Sequence, residues 1–300
     1  MTPHHRSVLM LLLTMIIWGS TFVVTKGINE QIPPFTLAFA RVAIGALILM
    51  PFLLLRPARA ATEPAASNRA LPWGTISLMG LIGVALYYAV FNWSLMLTSA
   101  SQGALVQSCI PAMTALIAVM WLRERATVTR WLGIGLTIAG VLIVFSGSGG
   151  GDGAGSVFGN VLMFVTTILW GIYTSLAKRV ADVDPRVVTA GIATIGAALL
   201  LPMAIVEIAA EGMPRVGATG WLGIVYLGTT ASGLAYLLYN AALKHMDASH
   251  VGVYTNLIPI VGVLSGVIVL GEPLSLRAVV GGCVVLAGVW ITGKEGRRSG

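Results

Sequence analysis

Residues Ser99 to Arg125 read SASQGALVQSCIPAMTALIAVMWLRER, an apolar run of helix length with Pro111 in its middle and a charged cluster at its end. The pattern returns in ASHVGVYTNLIPIVGVLSGVIVLGEPLS, Ala248 to Ser275. An offset of 148 residues (259 minus 111) sets Pro111 on Pro259, Ile110 on Ile258, Ser101 on Ser249, Leu122 on Leu270 and Glu124 on Glu272 without a gap. Working outward in the same register, about 20 of the 73 positions from Trp73 to Phe145 match those from Trp221 to Gly293. Identity at a fixed offset over that length marks an internal repeat.

A proline inside a helix removes the bond to the carbonyl four residues earlier, here those of Gln107 and Thr255. In a bilayer such freed groups survive only where protein or a water-lined cavity satisfies them. Gln107 and Ser108, with Thr255 and Asn256, bring polar side chains to the same level. Paired broken helices at matching places in two repeats point to a transporter's binding site, with Pro111 and Pro259 as the breaks or hinges. The competing reading is that the two prolines only bend helices for packing.

The composition agrees with a membrane setting. The chain is 57% hydrophobic and 10% charged, where soluble domains carry about 25% charged residues. Ten spans fit, near residues 8–24, 35–55, 73–97, 102–122, 131–145, 157–177, 187–206, 221–242, 251–270 and 276–292. The fold expected is therefore an all-α integral membrane protein of two five-helix repeats, residues 1–146 and 156–300, joined by a glycine-rich linker at 147–155. Five is odd, so the two repeats are expected to be inverted relative to one another.

The net charge of +7 could suggest nucleic acid, but its distribution gives another account. With the N-terminus inside, inward loops and tails hold fourteen of the 18 Lys and Arg residues; Lys26, Arg215 and Arg277 face outward, and Arg41 lies inside a span. This positive-inside bias puts both termini in the cytoplasm and needs no nucleic-acid partner. A secretory signal at the N-terminus is rejected because Trp18-Gly19 recurs as Trp170-Gly171. Trp73, Trp121, Trp131, Trp221 and Trp290 lie near span ends, as interfacial residues do. Cys109 and Cys283 read as buried, unpaired thiols within apolar helices.

Candidate cavity residues follow from mid-span position and from the repeat. Trp18 and Trp170 match each other, as do Tyr88 with Tyr236 and Asn92 with Asn240. Tyr254 adds aromatic surface, while Gln107, Ser108 and Asn256 add polar atoms at the proline breaks. An apolar lining with a few placed polar groups suits amphipathic solutes. Each Asn could instead bond a neighbouring helix. Gly133 and Gly140 in span five match Gly281 and Gly288 in span ten; a small residue every seventh position makes a close-packing face, either scaffold or the contact of a homodimer.

These features together resemble the drug/metabolite transporter superfamily, in its EamA-type ten-helix group. The resemblance rests on the WGSTF opening, the AFARVAIGALIL run containing Arg41, the two proline-then-glutamate spans ending in Glu124 and Glu272, and the glycine-rich spans five and ten. It implies a bacterial inner-membrane exporter of small metabolites, often amino acids, with aromatic amino acids a plausible cargo. Nucleosides, sugars and cationic compounds are the alternatives. The second half departs from the first where Ala193 takes the place of Arg41.

Two rival classes lack their residues. An intramembrane enzyme would need ionisable groups within spans, and no HExxH, GxSxG or aspartate pair is present. A channel would need a ring of charges or carbonyls. No cofactor or metal is expected. Glu124, Glu207 and Glu272 lie near span ends, so a carboxylate proton relay is not expected and export should run down the substrate gradient. Arg41 sits about seven residues into span two, roughly 10 Å deep at 1.5 Å per residue. A charge in a span costs about 2.5 to 3.5 kcal/mol. Freed helix carbonyls or the carboxylate of a passing amino acid are its candidate partners.

Overall fold

The computed structural model describes residues 3–54, 71–121, 127–147, 156–243 and 254–296. Within these the chain is helical, because in hydrocarbon every backbone polar group needs a partner and a helix supplies its own. The helices are α1 (Pro3–Ile28), α2 (Pro34–Leu54), α3 (Trp73–Leu97), α4 (Ala100–Trp121), α5 (Val128–Ser146), α6 (Val157–Ala177), α7 (Pro185–Glu211), α8 (Ala218–Ala242), α9 (Leu257–Leu270) and α10 (Leu276–Gly296). The first eight are long and apolar enough to cross a membrane; Leu257–Leu270 and the apolar stretch Leu276–Thr292 are shorter. Large apolar side chains such as Leu47, Leu132, Leu222 and Ile268 stand exposed around the outside, as lipid contact requires. Trp73, Trp121, Trp131, Trp221 and Trp290 are also exposed.

Local chemistry sets the ends. The Ser99 hydroxyl accepts from the Gln102 N–H at the start of α4, and Asp184 accepts from the Arg186 N–H ahead of Pro185 in α7. α9 ends on Gly271 in the left-handed region at φ 65°. Two carboxylates cap helices other than their own. Glu207 accepts from the Phe35 and Thr36 N–H groups at the start of α2, at 3.2 and 2.6 Å, and from the Thr36 hydroxyl at 2.7 Å. Glu272 does the same for α4, accepting from the Ala100 N–H at 2.7 Å, the Ser101 N–H at 2.8 Å and the Ser101 hydroxyl at 2.6 Å. A carboxylate at a helix N-terminus meets both unpaired N–H groups and the positive end of the dipole. Glu124 lies outside the described residues.

The glycine face is filled within the chain. α5 packs along α10, with a methyl built on Gly140 falling 2.8 Å from the Gly281 carbonyl, and one built on Gly281 falling 2.8 Å from the Gly140 carbonyl. Gly133 and Gly288 meet in the same way. Of scaffold and subunit contact, the glycines serve the scaffold. α2 lies along α7, α1 on α8 and α9, and α6 on α3 and α4. Cys109 is buried and unpaired, but Cys283 is exposed, since it sits on the outward face of α10; burial of that thiol is corrected.

The proline spans are broken rather than bent. α4 stops at Gln107, turns through Ser108 and Cys109, and restarts at Ile110, so Pro111 occupies the first turn of the second piece. α9 starts at Leu257 after a turn at Asn256, with Pro259 in its first turn. A first turn is where proline's missing N–H is not needed.

Candidate functional site

Two wound-open turns shape the middle of the molecule. α3 is π-helical over Leu81–Leu86, and α8 over Leu227–Leu234, positions that overlap at the 148-residue offset. Such a turn shifts bonding to the fifth residue on and lets individual carbonyls face inward. Gly83 and Ala231 are equivalent residues in the two turns. The Gly83 carbonyl accepts from the Tyr236 hydroxyl, and the Ala231 carbonyl from Trp18 Nε1, both at 3.2 Å. Each turn therefore anchors an aromatic side chain belonging to another helix.

Between these anchors lies a chamber with a cavity volume of about 30 Å³. Its walls are Trp18, Thr21 and Phe22 of α1, Arg41 of α2, Tyr87, Tyr88 and Phe91 of α3, Gln107 and Ile110 of α4, Trp170 of α6, Tyr236 of α8, Thr255, and Ile258 of α9. That volume is room for a water or two, so a larger solute enters only when these walls move apart. The rings meet edge to face: Trp18 and Trp170 have centroids 5.1 Å apart at 82°, and Trp18 and Tyr236 5.5 Å apart at 72°. Contacts of this kind favour a fixed arrangement, which keeps the wall rigid.

Polar groups enter at two places. Gln107, beside the break in α4, donates through Nε2 to the Tyr87 hydroxyl at 2.9 Å and to Thr166 at 3.0 Å. Arg41 is 1% exposed. Its Nε donates to the Ser232 hydroxyl at 3.2 Å, inside the π-turn of α8, and its guanidinium lies 4.2 Å from the centre of the Tyr88 ring. Arg41 Nη1 is buried with no hydrogen-bond partner among the described residues. Among those residues no group of His, Cys, Asp and Glu could hold a metal ion.

A chamber at the meeting point of broken and wound-open helices is the arrangement of a membrane carrier, and comparison with known proteins agrees. The profile of the EamA-like transporter family matches residues 5–146 and again residues 157–293. The chain belongs to the EamA-like transporter family. This EamA-like protein is 30% identical over 296 residues to an uncharacterized transporter of Archaeoglobus fulgidus, covering 96% of the chain and 98% of that relative. It is 28% identical to the uncharacterized transporter YyaM of Bacillus subtilis, over 95% and 93% of the two chains. A solved structure described only as the crystal structure of a protein superposes with a TM-score of 0.67 at 22% identity, covering 97% of this chain and 98% of that one; that match concerns the fold alone. The chain is thus a multi-pass membrane transporter.

The residues marked from sequence divide in two within this EamA-like chain. Trp18, Arg41, Tyr88, Gln107, Trp170 and Tyr236 come together as chamber wall. Asn92, Asn240, Ser108, Tyr254 and Asn256 do not. Asn92 donates through Nδ2 to the Pro34 carbonyl at 3.1 Å, while its main-chain carbonyl accepts from Asn29, tying the end of α1 and the start of α2 to α3. Asn240 donates to Thr189 at 2.9 Å and lies beside a second cavity next to Val180 and Pro185. Ser108 turns back onto the Leu105 carbonyl. Tyr254 packs on the core, and Asn256 precedes α9 with its Oδ1 buried and unpartnered among the described residues. Sequence reading did not single out Ser232 or Thr166, which hold Arg41 and Gln107, and nothing in their local pattern distinguishes them.

Proposed function

We propose that this EamA-like transporter exports amino acids, aromatic ones included, by alternating access across the inner membrane of a bacterial cell, with both termini in the cytoplasm. The observation that carries the reading is the chamber: an aromatic box with one buried, incompletely paired guanidinium, the combination that fits an aromatic ring joined to a carboxylate. On this account ten spans form two inverted five-helix halves, residues 1–146 and 156–300, joined by 147–155. Support comes from the reciprocal pairings α2 with α7 and α5 with α10, and from overlapping π-turns whose equivalent carbonyls, Gly83 and Ala231, each accept from an aromatic side chain of another helix. The transport unit on this reading is a monomer or a homodimer through α5 and α10. A homodimer through α5 and α10 would use their outer faces, since the glycines are engaged. Export runs down the gradient of the substrate.

Proteoliposomes loaded with unlabelled phenylalanine test the reading. We expect saturable counterflow of labelled phenylalanine and tryptophan. Flux of nucleosides or sugars with none of either amino acid would overturn the assignment, and flux without saturation or counterflow would make the protein a channel.

A further inference from the structure

The charge in the chamber is unbalanced. Arg41 brings one positive charge to its wall, and no Asp or Glu is among the wall residues. The hydrogen-bonding groups around it are already engaged or neutral: Arg41 Nε is held by Ser232, and Gln107 Nε2 by Tyr87 and Thr166. Arg41 Nη1 is left without a partner at 1% exposure of the residue. A desolvated guanidinium lacking an anion is costly, and a carboxylate satisfies it with charge as well as with a fork of hydrogen bonds.

We infer that this chamber recognises its cargo by the carboxylate and ring alone, so that amine-free aromatic monocarboxylates bind it more tightly than the amino acids of the same shape. The inference deepens the proposed transport reading and rests on it for its transport consequences. Summing charge inside the closed chamber gives the order. An arylcarboxylate anion brings the wall and cargo to zero, a zwitterionic amino acid leaves one positive charge, and an arylamine leaves two. At low dielectric the neutral sum is favoured. The α-ammonium finds ring faces and neutral oxygens on this wall, but no carboxylate.

A second consequence concerns the driving force. Moving a monoanion outward from a cell that is negative inside is favoured by the membrane potential by roughly 50-fold in gradient per 100 mV. Such an export needs no carboxylate proton relay.

The test compares 3-phenylpropionate, phenylalanine and phenethylamine, which share a ring and differ in charge. Trp18 and Trp170 in the wall make intrinsic fluorescence of the detergent-solubilised full chain a binding readout independent of transport. We expect 3-phenylpropionate to half-saturate the fluorescence change at a concentration at least 10-fold below phenylalanine, with no response to phenethylamine. Arg41→Met should abolish the anion preference; Arg41→Lys, which keeps the charge and loses the fork, should weaken anion binding about 10-fold and keep the order. Both variants are first checked for a wild-type melting temperature; if Arg41→Met does not fold, the ligand order on the wild type and on Arg41→Lys decides. Equal or tighter binding of phenylalanine, or no response to 3-phenylpropionate, overturns the inference. In proteoliposomes, phenylalanine counterflow that 3-phenylpropionate does not inhibit overturns the inference while leaving the transport reading intact. Fluorescence binding in the expected order without counterflow of any compound keeps the inference and sinks the transport reading.

Discussion

Two interfaces inside this chain are built from opposite materials. Along α5 and α10, four glycines bring backbone against backbone, so that even a methyl group would meet a carbonyl. Around the chamber, bulky rings stand edge to face and hold their helices apart, and polar atoms reach the gap. The glycine seam is symmetric under the repeat. The chamber is symmetric only in its frame: Trp18 matches Trp170 and Tyr88 matches Tyr236, but Arg41 is matched by Ala193 and Gln107 by Thr255. On the proposed reading, the shared parts of the repeat serve architecture and movement, and the unmatched side chains set what is carried.

The largest expected effect breaks the seam. Gly140→Leu drives a side chain into the Gly281 carbonyl and Val285; overpacking a tight contact costs about 1 to 3 kcal/mol and more where backbone must move. A thermal melt in detergent should lose most folded protein. Gly135→Leu on the same helix, where no atom lies within 4 Å, should melt as wild type. If the two variants melt alike, the seam is not the scaffold.

Next comes the asymmetric charge. Arg41→Lys should insert and melt within a few degrees of wild type, yet carry phenylalanine at least 10-fold more slowly in proteoliposomes, because lysine cannot reproduce the planar fork. Wild-type flux would return Arg41 to a purely structural role.

A smaller effect tests the symmetry of the frame. Tyr236→Phe and Trp18→Phe each remove one donor from an equivalent carbonyl, Gly83 or Ala231. Leaving a buried acceptor unmet costs about 1 to 3 kcal/mol. The two variants should lose comparable stability in chemical denaturation and slow transport several-fold. A loss confined to one of them would show that the two π-turns are not equivalent parts.

The smallest effect concerns a residue off the wall. Asn240→Ala removes a bond to Thr189 worth about 0.5 to 1.5 kcal/mol, and should leave the KM for phenylalanine unchanged. A KM shift beyond threefold would put Asn240 back among the cargo contacts.

Much of this was legible in the residues. Eight long helices fall where hydropathy put the first eight spans, the breaks lie just before Pro111 and Pro259, and the glycine spacing marked a close seam. Mid-span aromatic residues at matching positions led to four of the wall residues, Trp18, Tyr88, Trp170 and Tyr236, while its charge marked Arg41 and the proline break marked Gln107. The two asparagines misled for a geometric reason: a residue one turn beyond Tyr88 or Tyr236 keeps the same helix face but stands about 6 Å further along the axis. That step carries Asn92 and Asn240 out of the chamber and into bonds with neighbouring helices. The π-turns were not legible: the partners of their Gly83 and Ala231 carbonyls, Tyr236 and Trp18, come from distant helices. The caps by Glu207 and Glu272 likewise join residues about 170 positions apart, Thr36 with Glu207 and Ala100 with Glu272, a proximity only the packed bundle creates.

Alternating access, as proposed, has the chamber open to each side of the membrane in turn. Thr21 lines it, and a cysteine there is close to threonine in size. In a chain carrying Cys109→Ala and Cys283→Ala, Thr21→Cys should react with a membrane-impermeant thiol reagent added to either side of oriented vesicles, and saturating phenylalanine should slow both reactions. Labelling from one side only, at a rate indifferent to phenylalanine, would contradict alternating access through this chamber.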